Sequence, residues 1–246
     1  DVQRLPCDRP VFRTKRDESD RPVSAASTLT PLGGSSALDE ETARAELYGL
    51  LSQLYYAAPS PELLSALRVA VTEAPANGGF LQEPWQQLVA ASRALSDAAI
   101  AQEFDRLFGG VGKPEVFLYG SHYLSGFLNE KPLARLRTDL QQLGLARDDT
   151  MPETEDHVAY LLEVMRYLIA GDDVAVCNLT SQREFFSTHL QPWVLQLCDA
   201  LAAQPQARFY AAVAHFTRAF VSVETQGFDL SLIHISEPTE TLRYLV

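Results

Sequence analysis

Fifteen residues, Met151–Met165 (MPETEDHVAYLLEVM), gather the side chains best suited to chemistry or recognition. Three carboxylates, Glu153, Glu155 and Asp156, precede His157, and an apolar run follows. Carboxylates beside an imidazole can exchange protons, hold a divalent cation, or grip a guanidinium through charge-assisted, bidentate hydrogen bonds. On a helix, Asp156 and His157 point about 100° apart, so they form no tight mutual pair, yet both can reach outward from one first turn. Thr154 is the expected N-cap, with Glu155 and Asp156 where the helix dipole favours negative charge. Val158, Leu161, Leu162, Met165, Leu168 and Ile169 recur at helical spacing, and Gly171 suits the stop. The stretch reads as a charged tip on a buried helix. A second reading of the same residues makes Asp156 a cap of its helix and leaves His157 bonded to neighbouring backbone.

Catalysis finds little support in the spacing. The five histidines are His122, His157, His189, His215 and His234. No HExxH is present and no two histidines are four apart, so a zinc helix is unsupported. Ser121 lies in Tyr-Gly-Ser-His-Tyr rather than in a G-x-S-x-G elbow. The glycine-rich run before Lys113 fails the phosphate-loop pattern, because Pro114 follows the lysine. The aromatic run Phe117, Tyr119, Tyr123 and Phe127 is of a kind that more often packs a core than lines a groove.

Composition narrows the classes. The 246 residues are 46% hydrophobic, enough for a sizeable core, and carry a formal charge of −12. That charge disfavours nucleic acid and steers cations inward. Cys7, Cys177 and Cys198 are scattered without a CxxC, which argues against a disulfide framework and fits reduced, cytoplasmic thiols. No run of ~18 apolar residues predicts stable membrane insertion, and no apolar leader opens the chain.

Helical periods dominate the elements that must position this tip. Residues 1–36, rich in Pro, Arg, Asp and Ser, read as a disordered extension. Helices follow from a capping-box-like Ser36–Asp39, with its apolar face from Ala43 to Tyr55, to about Ala58, then from Ser60-Pro61, from Pro84, and from Ser96 to Gly109-Gly110. Gly109 to Gly126 is the longest irregular candidate. Pro132 to Leu143 is helical, and 147–152 is a candidate hinge. Beyond Gly171, Leu179–Leu190, Pro192–Ala203 and Pro205–Glu224 are helical by period, with Trp193, Phe209, Phe216 and Phe220 filling a second core. The fold class expected is all-α: one domain of about ten helices over 37–229, in halves 37–146 and 153–229, with an atypical tail at 230–246. Within that tail Leu232–Ile235 alternates like a strand.

Glu153-x-x-Asp156-His157, then seven residues and Met165, resembles the signature of the TorD/DmsD/NarJ family, chaperones for the maturation of molybdenum oxidoreductases. Thr154 stands where the family pattern has Pro. Tyr119-Gly-Ser121-His-Tyr123, followed by Gly126, matches a second family segment, and the resemblance spans about Glu40 to Phe228. It implies a cytoplasmic, non-catalytic chaperone that needs no cofactor of its own. The partner implied is a molybdoenzyme catalytic subunit or its twin-arginine leader peptide. Glu153, Asp156, His157, Tyr119, Ser121, Tyr123 and Met165 are the implied peptide-binding residues. On that resemblance Glu153 and Asp156 would supply carboxylates for the leader's arginines, Tyr119, Tyr123 and Phe127 would line an apolar groove, and His157, near its usual pKa, would make binding pH-sensitive. Either a monomer or a homodimer is compatible, since helical halves joined by a short hinge can swap. The competing class is an all-helical adaptor for another folded protein.

Overall fold

The computed structural model describes residues 12–14, 36–72, 79–109, 113–128, 131–147 and 152–235. Ten helices follow in chain order: α1 (Ser36–Tyr56), α2 (Pro61–Val69), α3 (Gln82–Ala94), α4 (Asp97–Phe108), α5 (Gly120–Ser125), α6 (Lys131–Gln142), α7 (Val158–Ala170), α8 (Leu179–His189), α9 (Val194–Ala202) and α10 (Phe209–Ile235). Two three-residue strands, β1 (Phe12–Thr14) and β2 (Leu145–Arg147), pair antiparallel, with Phe12 opposite Arg147. The fold is all-α, as the periodicity predicts.

Local chemistry explains the helix ends. Ser60 and Ser96 cap α2 and α4 by accepting from the N–H groups of Leu63 and Ala99, both at 3.2 Å. Pro61 opens α2, where its missing N–H costs nothing. Gly144, at φ +72, turns the chain out of α6 in a conformation that favours glycine.

Helix α7 is the axis of the molecule. Val158 through Leu162, Val164, Met165 and Leu168 are all buried, so the helix is apolar almost all round, the mark of a central helix. It packs along α1 and against α8, while α10 packs on α9, α3 and α4. One continuous core results, holding Tyr48 and Leu54 from the first half together with Trp193, Phe216 and Phe220 from the second. The two sequence halves thus share a core, where the sequence reading gave the second half its own. The reason is visible in α1. The Ser52 hydroxyl donates to the Ala159 carbonyl at 2.8 Å, and the Tyr48 hydroxyl donates to Glu224 at 2.9 Å. Arg44 grips that same Glu224 through two bonds of 2.9 and 2.8 Å. Period alone cannot tell which helix an apolar face will meet.

Three further features differ from expectation. Residues 120–125 form a short helix inside the stretch read as irregular. Leu232–Ile235, read as strand-like, continue α10, since four alternating residues are too few to override a helix already propagating from a packed face. Finally, β1, which falls within the extension read as disordered, pairs with β2, and most of the candidate hinge, 148–151, lies outside the described residues.

Glu103 closes the N-terminus of α10. Its carboxylate accepts from the backbone N–H groups of Arg208 (2.9 Å), Phe209 (3.2 Å) and Tyr210 (2.7 Å). A buried carboxylate here satisfies donors that the helix leaves orphaned and meets the positive end of the dipole. Glu103→Ala should destabilise the fold by about 2 kcal/mol, read as a lower urea midpoint with an unchanged denaturant slope.

Candidate functional site

The segment 117–123 and the turn 153–158 are held together by their backbones. The Gly120 N–H donates to the Asp156 carbonyl at 2.9 Å, and the Val158 N–H donates to the Leu118 carbonyl at 2.8 Å. Tyr119 and His157 face each other across the resulting antiparallel bridge. Gly120 is required by proximity, because a Cβ there would meet the Trp193 indole at 3.0–3.3 Å.

Asp156 strengthens the clamp. Its Oδ2 accepts from the Ser121 N–H at 2.9 Å and its Oδ1 from the Thr154 hydroxyl at 2.6 Å. It therefore caps α5 rather than its own helix. His157, not Thr154, is the N-cap of α7, its Nδ1 accepting from the Ala159 N–H at 3.2 Å. That bond puts the ring proton on Nε2 in the neutral form. Asp156 is 3% exposed and His157 4%. The outward-reaching tip expected from the sequence is thus turned inward, because α7 starts at Val158 and the preceding residues are consumed by the clamp. Ser121 and Met165 are buried as well.

Burial lowers the His157 pKa to about 4, against a smaller raising effect of Asp156. The imidazole is neutral at pH 7, so the pH-sensitive binding expected of a histidine near its usual pKa does not arise here. The consequence falls on stability. An unfolded histidine takes up a proton below about 6.5, whereas the folded one resists until about 4. The unfolded state therefore binds more protons across that window, and stability falls as pH drops from 6.5 to 4. His189, lowered mainly by burial, acts in the same direction. His157→Asn, which keeps a capping acceptor, should flatten the decline in urea midpoint between pH 7 and 5 relative to wild type.

Glu155 is held by Arg137 through a two-bond ion pair of 3.0 and 2.9 Å. Burial, the largest single effect, pushes its carboxyl up, but the Arg137 hydrogen bonds, a backbone hydrogen bond and the charges of Arg137 and Arg147 together outweigh it and hold the carboxyl below the usual range. Arg137 went unnoticed in the sequence, since nothing there links α6 to the acidic turn. Glu155 and Asp156 are engaged, and among the described residues no group of His, Cys, Asp and Glu gathers to hold a metal ion. Arg137→Ala should cost about 2 kcal/mol by leaving Glu155 buried without its cation, and Arg137→Lys should restore only part of it.

Glu153 is different. It is half-buried, and its carboxylate accepts from the Tyr119 hydroxyl. Tyr119 in turn lines an open, mainly apolar groove of about 460 Å³ with Phe108, Lys113, Pro114, Phe117 and Leu128. The Lys113 ammonium stands 5.7 Å from the centre of the Phe117 ring, and His122 stacks on that ring at 4.0 Å. Tyr123 lies elsewhere: it stacks on Trp193 at 5.4 Å and donates to the Phe117 carbonyl at 2.8 Å, supporting the wall from behind. Phe127 does not line the groove and is 70% exposed. Of the residues singled out by sequence, Glu153 and Tyr119 meet at the groove, Ser121, Tyr123, Asp156 and His157 support it, and Met165 lies in the core on α7. Phe108 and Lys113 also wall the groove, and nothing in their sequence context marks them for that role, since the run before Lys113 only fails the phosphate-loop pattern.

The described residues thus combine an all-helical fold with an open, mainly apolar groove whose lining residue Tyr119 bonds the Glu153 carboxylate. Residues 76–199 match the family model for the nitrate reductase delta subunit, and the chain belongs to that family, which joins NarJ and TorD. It is 26% identical over 202 residues to Chaperone protein TorD of Vibrio cholerae, covering 76% of this chain and 92% of the relative. Similar relatives of the same name occur in Aliivibrio fischeri, 25% identical over 200 residues (74% and 93% covered), and Shewanella loihica, 25% over 208 (75% and 92%). The family is one of chaperones rather than enzymes. No described helix is long and apolar enough to cross a membrane.

Proposed function

We propose that the chain is a cytoplasmic chaperone that binds the twin-arginine leader, or the apo form, of a molybdenum-containing oxidoreductase subunit and assists its cofactor insertion, folding and export. The observation that carries this reading is the junction of Glu153 with the groove through Tyr119. A leader peptide is basic at one end and apolar beyond. Glu153 suits a guanidinium, and Phe108, Phe117, Tyr119 and Leu128 suit the apolar part. Asp156, His157, Ser121, Tyr123 and Met165 act on such a ligand by positioning these two elements. The net charge of −12 favours encounter with a basic segment.

The test is calorimetric titration with leader peptides of molybdoenzymes. Glu153→Gln should weaken binding about tenfold, or about 1.4 kcal/mol, without moving the unfolding midpoint. Replacing the paired arginines of the peptide should produce a similar loss in wild type and little further loss in Glu153→Gln, the signature of a direct pair. A folded protein that binds no leader, or binds the arginine-free peptide equally well, contradicts leader recognition and favours an adaptor.

A further inference from the structure

Among the described residues that line the groove, only Lys113 is charged. Its ammonium stands over the Phe117 ring, whose negative face attracts a cation. His122 stacks on the same ring, and burial, with the charge of Lys113, lowers its pKa, so it is mainly neutral at pH 7. The neighbouring Glu115 carboxylate accepts from Gln206, and no ion pair among the described residues includes Lys113. Phe117 and Tyr119 flank Leu118, which is buried, and the Tyr119 backbone is extended. Alternation therefore sets the two rings side by side on the groove, about 7 Å apart along the chain. One ring carries the Lys113 ammonium, and the other bonds the Glu153 carboxylate. The wall has a charge order: acid beside Tyr119, cation beside Phe117.

We propose that Lys113 is a specificity-determining residue: it selects client segments whose apolar part runs from a basic residue to an acidic one, and rejects those with a cation at both ends. The inference rests on the leader-binding reading and adds to it the order of charges along the client. Glu153 by itself would take an arginine from either end of an apolar segment. With Lys113 in place, only one order pairs both charges, and a second cation at the Phe117 side meets a like charge. An acidic residue there gains a charge-assisted bond instead. The groove, about 460 Å³, holds only a few side chains, so both charges act on one short stretch. Lys113 is exposed, and a solvent-facing charge acts on the choice between clients more than on total affinity.

The test is calorimetric titration of the full chain with synthetic peptides blocked at both ends. They share Arg-Arg and a short leucine-rich run, and differ only in the residue that closes the run, Asp or Lys. A control peptide has Gln-Gln in place of Arg-Arg. Wild type should bind the Asp peptide about fivefold more tightly than the Lys peptide. Lys113→Gln should remove most of that preference and Lys113→Glu should reverse it, with the unfolding midpoint unmoved in both, because the side chain is exposed. Equal binding of the Asp and Lys peptides by wild type, or a preference that survives in Lys113→Glu, overturns the role of Lys113 while the arginine dependence of binding stands. Binding of no peptide by wild type, or equal binding of the Gln-Gln control, overturns instead the leader-binding reading on which that role depends.

Discussion

Two backbone hydrogen bonds organise this molecule's candidate site: Gly120 N–H to Asp156 and Val158 N–H to Leu118. They join two segments more than thirty residues apart, one from each half of the chain. Everything distinctive about the groove follows from that junction. It sets Tyr119 beside His157, turns Asp156 inward to cap α5, and leaves Glu153 as the carboxylate at the rim. The central helix α7 makes the junction rigid, because its first residues are buried and its flank is pinned to α1 through Ser52.

A division of labour among the acidic residues results. All three carboxylates of the turn are close in sequence, but each has a different neighbour: Glu153 the Tyr119 hydroxyl, Glu155 the Arg137 guanidinium, Asp156 a helix N-terminus. The last two are buried and matched, which makes them part of the framework. Only the first stands where an incoming cation can reach it. His157 likewise serves as a neutral cap, kept so by burial.

Much of the helical framework could be read from the chain. Ser60-Pro61, Ser96 and Gly171 mark helix ends by backbone chemistry that acts locally, and local chemistry survives folding. The acidic turn and the Tyr119–Tyr123 segment were also recognisable as a pair. What could not be read was their orientation. Whether Asp156 points out or in depends on a partner, the Ser121 N–H, that lies thirty-five residues away. The shared core depends on α1 meeting α7, and the Glu155–Arg137 pair depends on α6 arriving beside the turn. Each of these is a long-range contact with no counterpart in periodicity or capping.

Hydrogen–deuterium exchange of the full chain, with and without an arginine-bearing leader peptide, tests the central claim most directly. The account predicts added protection in 113–119 and around Glu153, with the amides of Gly120 and Val158 already protected before the peptide is added. Protection appearing instead on the exposed surface around Val69 and Phe80, with none in the groove, would contradict it.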